Sequence, residues 1–175
     1  LALQHDLVMT REAILRIVAA RDQNAPIDPV IIDIEAASLA VTDFESSVAK
    51  MMEVAGVAPP SIGFRVLSLD LARQTQPAYR SLVRMLERGH PAWLTRFANA
   101  VTNSTLKGAY IEVTVTYLQR LCENADGRDL VSQLLEIWRN AEVRLVAIDV
   151  QSPDQARFVG DLKIKYAVGP AALQQ

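Results

Sequence analysis

The chain has 175 residues, half of them apolar and 22% charged, with a formal net charge of −2. That length supports one sizeable core and falls short of two ordinary domains, so a single domain over 1–175 is expected. Lys and Arg are dispersed without a basic run, which gives no electrostatic reason for nucleic acid or a membrane surface as partner. No apolar stretch approaches the ~20 residues that span a bilayer, and Leu1 to Leu7, with His5 and Asp6, lacks a secretory-signal pattern.

The spacing predicts a helix capped by Thr10 with Ala13, Ile14, Ile17 and Val18 on one side, ending before Asn24 to Pro26. The β-branched run Val30 to Ile34 reads as a strand covered on both faces. Thr42 and Glu45 form a capping-box pair for a helix that carries Phe44, Val48, Met51, Met52 and Ala55, with Gly56 at its left-handed exit. Ile62 to Leu67 is a second strand, and Pro77 opens a helix with Tyr79, Leu82, Val83 and Leu86 that Gly89 stops. Ala92 to Phe97 and Tyr110 to Val115 are predicted strands. Leu130, Leu134, Leu135 and Trp138 mark one helical face, and Val143 to Ile148 is a buried strand. Ser152 then caps a helix with Pro153 at its first position, where the missing N–H costs nothing, and Gln155 can reach back to the amide of the cap.

Strands and helices thus alternate, which points to a parallel α/β fold, either an open doubly wound sheet or part of a barrel. Pattern alone leaves both open. No GxGxxG or GxxxxGK[ST] loop is present, which counts against an ordinary nucleotide-binding open sheet. An eight-unit barrel takes about 250 residues, so this chain would supply part of one.

Val143 to Gly169, VRLVAIDVQSPDQARFVGDLKIKYAVG, resembles without a gap the C-terminal part of the EAL family of cyclic di-GMP phosphodiesterases, which typically reads VVAEGVETEEQLEFLRELGCDYVQG. Gln155, Phe158, Leu162, Tyr166 and Gly169 match. From Leu1 to Pro170 the chain resembles the C-terminal two thirds of such a domain, without the segment that bears the EAL tripeptide; Glu12, in a helix, is not that motif. The resemblance implies a partial or modified TIM-like (β/α) barrel with mostly parallel strands and a site at their C-terminal ends. Upstream chain, a partner subunit or a rearranged N-terminal helix would cover its open edge, and upstream chain is expected.

The resemblance also implies where site residues fall. Asp33 stands at the metal-binding Asn of the family's NLS strand, and Arg65 where the ExT strand has its metal-binding Glu. Thr95 and Arg96 replace the Asp pair of DDFG. Glu112 stands for the catalytic Lys and Thr114 for the Asp of KIDRSFV. Ile148 and Gln151 replace the two Glu residues of EGVE, and Val168 the Gln of the terminal QG. Hydrolysis with two divalent ions needs several carboxylates to hold the metals and lower the pKa of a bound water toward about 7. Asp33 is the remaining candidate ligand, and its plainer reading is an ion pair with a guanidinium. No metal and no cofactor are predicted. Arg65 and Arg96 are candidate anion-binding residues at strand ends.

Other residues have packing explanations. His5 and His90 read as solvated, with no second His or Cys at ligand spacing. Cys122 reads as a buried, inert thiol, Trp93 and Trp138 as core residues, and no serine has a nucleophile context. Asp149 is turned from the site face by strand alternation. The expected function is that of a catalytically inactive EAL-like regulatory or protein-interaction domain in bacterial cyclic di-GMP signalling, and not an enzyme. A non-catalytic cyclic di-GMP receptor and an active phosphodiesterase are the alternatives. Expected partners are a protein or flanking signalling domains, cyclic di-GMP and a second copy of the chain, without nucleic acid or direct membrane contact. The expected location is the cytoplasm, alone or within a larger membrane-attached protein.

Overall fold

The computed structural model describes residues 1–26, 28–69, 76–95 and 106–172. The chain divides into two compact units, residues 1–95 and 96–175. The first contains α1 (Ala2–Asp22), β1 (Val30–Glu35), α2 (Ala36–Leu39), α3 (Thr42–Ala55), β2 (Ile62–Leu67), α4 (Pro77–Glu87) and β3 (Ala92–Leu94). Its strands run parallel, with Ile32 opposite Phe64 and Phe64 opposite Ala92. Ile32, Ile34, Phe64, Val66 and Leu94 are buried with Phe44 and Leu82 of the helices, because crossover helices must cover a parallel sheet.

Three sequence expectations change here. The strand β1 is covered on one face only: Ile32 and Ile34 are buried, whereas Ile31 is 47% exposed and Asp33 is exposed too. A β-branched run reports strand propensity and does not say how many faces are covered. Thr10 is not a cap. The first helix begins at Ala2, and the Thr10 hydroxyl donates to the carbonyl of Asp6 at 2.7 Å inside it. Its buried stripe includes Asp6, whose Oδ2 accepts the Glu35 amide N–H at 3.0 Å, so a carboxylate satisfies a backbone donor where an apolar pattern would be sought. Thr42 and Glu45 make no capping box either. Val41 precedes the helix without a side-chain cap, and the buried Glu45 accepts from Arg84 Nε at 2.6 Å and meets Arg88 at 2.9 Å, tying α3 to α4. Gly56 does close α3 in the left-handed region, φ +62°.

His90, expected in solvent, is 4% exposed. Its Nδ1 donates to the Ile62 carbonyl at 3.1 Å, and the ring packs edge-on against Phe64. Burial lowers its pKa from the ordinary 6.5; the Ile62 bond opposes this, nearby Arg88 adds to it and Glu45 opposes it. The unfolded chain therefore takes up this proton at a higher pH than the folded one. The stability from a neutral His90 is complete above pH 6.5 and is lost as pH falls through 6.5 toward the folded value, at up to about 1.4 kcal/mol per pH unit. Urea midpoints measured from pH 7.5 downward should fall in that window for the wild type and stay flat for His90→Gln; equal slopes would assign the effect elsewhere.

The second unit contains β4 (Tyr110–Thr114), α5 (Val115–Leu121), α6 (Ala125–Asn140), β5 (Arg144–Ile148), α7 (Pro153–Asp161) and β6 (Tyr166–Ala167). The three strands pair in that order, all parallel. Ile111, Val113, Leu145 and Ala147 are buried. On α6 Leu135 and Trp138 are buried and Leu134 half-buried, as expected, whereas Leu130 is half exposed and Val131 is buried in its stead. The Asn124 side chain caps this helix by accepting the Gly127 N–H at 2.8 Å. Ser152 caps α7 as expected, accepting the Gln155 N–H at 3.2 Å, but the Gln155 side chain accepts from Gln151 instead of from the cap's own amide. Burial raises the pKa of Cys122, the opposite of what a nucleophile requires. Among the described residues no helix is long and apolar enough to cross a membrane.

Candidate functional site

In the first unit, parallel pairing lays a row of side chains across the sheet: Asp33 of β1 lies opposite Arg65 of β2, which lies opposite Trp93 of β3. Strand alternation puts all three on the face away from Ile32, Phe64 and Ala92. Arg65 Nη1 stands 3.7 Å from Asp33 Oδ2, with the two side chains 36% and 56% exposed. The pair is loose and reachable from solvent. Below it, toward the strand N-termini, the Trp93 ring lies over Gly63, where a Cβ would come within 2.6 Å of the indole. Glycine at this point of β2 lets the ring approach the backbone, an arrangement that an isolated glycine in a strand pattern can signal and that sequence reasoning missed. One step toward the C-terminal ends, the Thr95 hydroxyl donates to the Val66 carbonyl at 3.3 Å. Arg96 lies outside the described residues, as does Phe97 of the expected third strand.

In the second unit, Glu112 is buried in the middle of β4 opposite Val146. Thr114 ends that strand opposite Ile148 and caps α5, its hydroxyl accepting the Tyr117 N–H at 3.3 Å. Beyond β5, Asp149 takes a left-handed turn at φ +62°, and the Gln151 N–H donates to Gln155 Oε1 at 2.8 Å. Val168 is exposed; its N–H donates to Ala147 O at 2.8 Å and its carbonyl accepts the Val150 N–H at 3.1 Å. Thr114, Ile148, Gln151 and Val168 thus gather at the C-terminal ends of β4, β5 and β6, where parallel α/β folds build their sites. The same unit has a cavity of about 460 Å³ at the other end of its strands, lined by Leu135, Glu136 and Arg139 of α6 and by Asp161 to Lys163.

The resemblance implies divalent metal ions at these strand ends. Asp33 as it stands does not fit one, since a guanidinium faces its carboxylate, and among the described residues no three His, Cys, Asp or Glu side chains come together.

Parallel strands alternating with helices, with candidate residues at the strand C-terminal ends, define an α/β domain of the TIM-barrel type. The chain belongs to the EAL domain family, whose profile matches residues 2–174. Solved structures share the fold. The PaMucR phosphodiesterase, in a cyclic di-GMP complex, is 16% identical with a TM-score of 0.75 over 96% of this chain and 70% of that one. The FimX EAL domain of Xanthomonas citri, in complex with the same nucleotide, is 12% identical with a TM-score of 0.77 over 97% and 68%. The EAL enzyme Bd1971, with cAMP and cyclic di-GMP bound, is 11% identical with a TM-score of 0.68 over 97% of this chain but 46% of that one. No curated protein matches the sequence significantly.

Membership corrects one expectation. The reading that this chain is not an enzyme does not stand, because the family is one of cyclic di-GMP phosphodiesterases and nothing in the described residues shows a catalytic group to be lost. That reading rested on placing family motifs by sequence register, and at this level of identity a shift of one residue turns every strand side chain to the opposite face.

Proposed function

We propose that this EAL domain binds cyclic di-GMP at the C-terminal ends of its parallel strands and acts in cyclic di-GMP signalling. The observation that carries the reading is the family match along 2–174. Support comes from relatives of the same fold that hold this nucleotide, PaMucR and FimX among them. Within the second unit Thr114, Gln151 and Val168 gather at the strand C-terminal ends, the place where parallel α/β folds take polar ligands.

Calorimetric titration of the full chain with cyclic di-GMP, with and without Mg²⁺, tests this. Saturable binding is expected, and the absence of binding in both conditions would overturn it. Chromatography of the same samples shows whether the nucleotide is opened to the linear dinucleotide, which extends the reading from binding to hydrolysis.

A further inference from the structure

We infer that the N-terminal end of the second unit's sheet is a docking surface for an acidic protein segment. This end lies opposite the candidate site, and its reading is independent of cyclic di-GMP. Strands β4, β5 and β6 are adjacent and parallel, so the stretches of chain that enter them lie side by side. They bring together Lys107 before β4, Arg139 in the last turn of α6, Arg144 at the start of β5, and Lys163 and Lys165 before β6. Cations dispersed along the sequence become one patch through topology alone. The acids at this end, among the described residues, are Glu136, Glu142 and Asp161, so cations outnumber anions here in a chain whose formal net charge is −2. Lys107 Nζ pairs with Glu142 Oε1 at 2.7 Å. Arg144 is held in place by Tyr110, its Nη1 donating to the hydroxyl at 2.9 Å and its guanidinium carbon 5.0 Å from the ring centroid. Arg139, Lys163 and Lys165 are exposed and make no ion pair among the described residues. The carbonyl ends of α6 and α7 favour cations at Arg139 and Lys163, an effect that falls off within a turn; Arg144 and Lys165 stand at strand starts, outside it. The class of partner follows from the cavity of about 460 Å³ at this end, whose walls carry Glu136 and Asp161 as well as Arg139 and Lys163. A phosphate backbone or a lipid surface of one sign would leave those two carboxylates opposed, whereas a polypeptide can set a base among its acids and insert side chains. An acidic segment that carries one lysine or arginine matches the whole set.

The test is a titration of the full chain with a short dye-labelled peptide of glutamates around a central lysine, at low and high salt, with thermal unfolding to confirm that each variant is folded. Saturable binding that weakens as salt rises is expected. Reversing two exposed cations of the patch, Lys163→Glu with Lys165→Glu, should weaken it by about tenfold or more. Reversing two exposed cations of α1 in the first unit, Arg11→Glu with Arg16→Glu, changes the net charge equally and should leave the affinity within about twofold. Equal weakening by the two pairs would reduce the effect to net charge and overturn the inference. Unchanged binding after reversal at 163 and 165, or no binding by the wild type, would overturn it as well. Tighter binding of phosphatidylserine vesicles or duplex DNA than of the peptide would assign the face to a phosphate surface and also refute it. Should the reversed pair not fold, Lys163→Gln with Lys165→Gln decides, with about half the effect expected on a logarithmic scale.

Discussion

Alanine at Gly127 is expected to destabilise the protein by about 3–5 kcal/mol, in the range of the severest single substitutions. Gly127 is the third residue of α6, and a Cβ there would fall 1.7 Å from the carbonyl oxygen of Leu121 and 2.9 Å from its carbon. Both are backbone atoms of the preceding helix, which cannot swing aside as a side-chain tip would. The helix cannot retreat cheaply either, because its Gly127 N–H is held by the Asn124 cap at 2.8 Å. Helix propensity works in the other direction, since alanine is favoured over glycine by about 1 kcal/mol inside a helix. Chemical denaturation of Gly127→Ala therefore separates the two effects by sign: a lower midpoint confirms the close approach of α5 and α6, and a higher one refutes it.

Gly169→Ala should be nearly as costly, about 2–4 kcal/mol, with the damage at the candidate site. Gly169 has φ +150°, a region that side chains rarely enter, and a Cβ would fall 2.3 Å and 2.5 Å from the oxygen and nitrogen of Val150. The same Val150 donates to the Val168 carbonyl and accepts the Ala171 N–H, each at 3.1 Å, so the added methyl would enter a closed backbone pairing. Displacing that pairing moves the turn that carries Gln151. Hydrogen exchange should show faster exchange at Val150 and Ala171 with the α6 amides unchanged, together with weaker nucleotide binding. Unchanged protection at both residues would mean that the turn accommodates a side chain.

The sequence carried much of this arrangement, and where it misled the cause is physical. Ile62 to Leu67 coincides with β2, and Pro77 with the start of α4, because the alternating strand formers Ile62, Phe64 and Val66 and a proline at the first helical position act locally. The Ser152 cap was legible for the same reason. Asp6, Glu45 and His90 were not, since their partners Glu35, Arg84 and Ile62 lie between 28 and 39 residues away. A buried polar side chain is recognised by what satisfies it, and that is a tertiary fact. At the site, Asp33 and Arg65 were named as residues with opposing charge, and parallel register is what sets them side by side. Trp93 over Gly63 was missed although the lone glycine in a strand marked the place. The match of motif letters could not decide catalysis, because letters assign positions while chemistry depends on which face of each strand they occupy.

The bond between Asp6 and Glu35 has a mechanical side. The first helix is 21 residues long, about 30 Å, and its buried carboxylate grips the amide of Glu35, two positions beyond Asp33. A rod fastened at such a point behaves as a lever. Movement of α1 and movement of the end of β1 would be coupled through this bond. The Asp6 carboxylate is the pin of this joint, and Asp6→Asn, which keeps an oxygen acceptor and removes the charge, would loosen the pin without removing it.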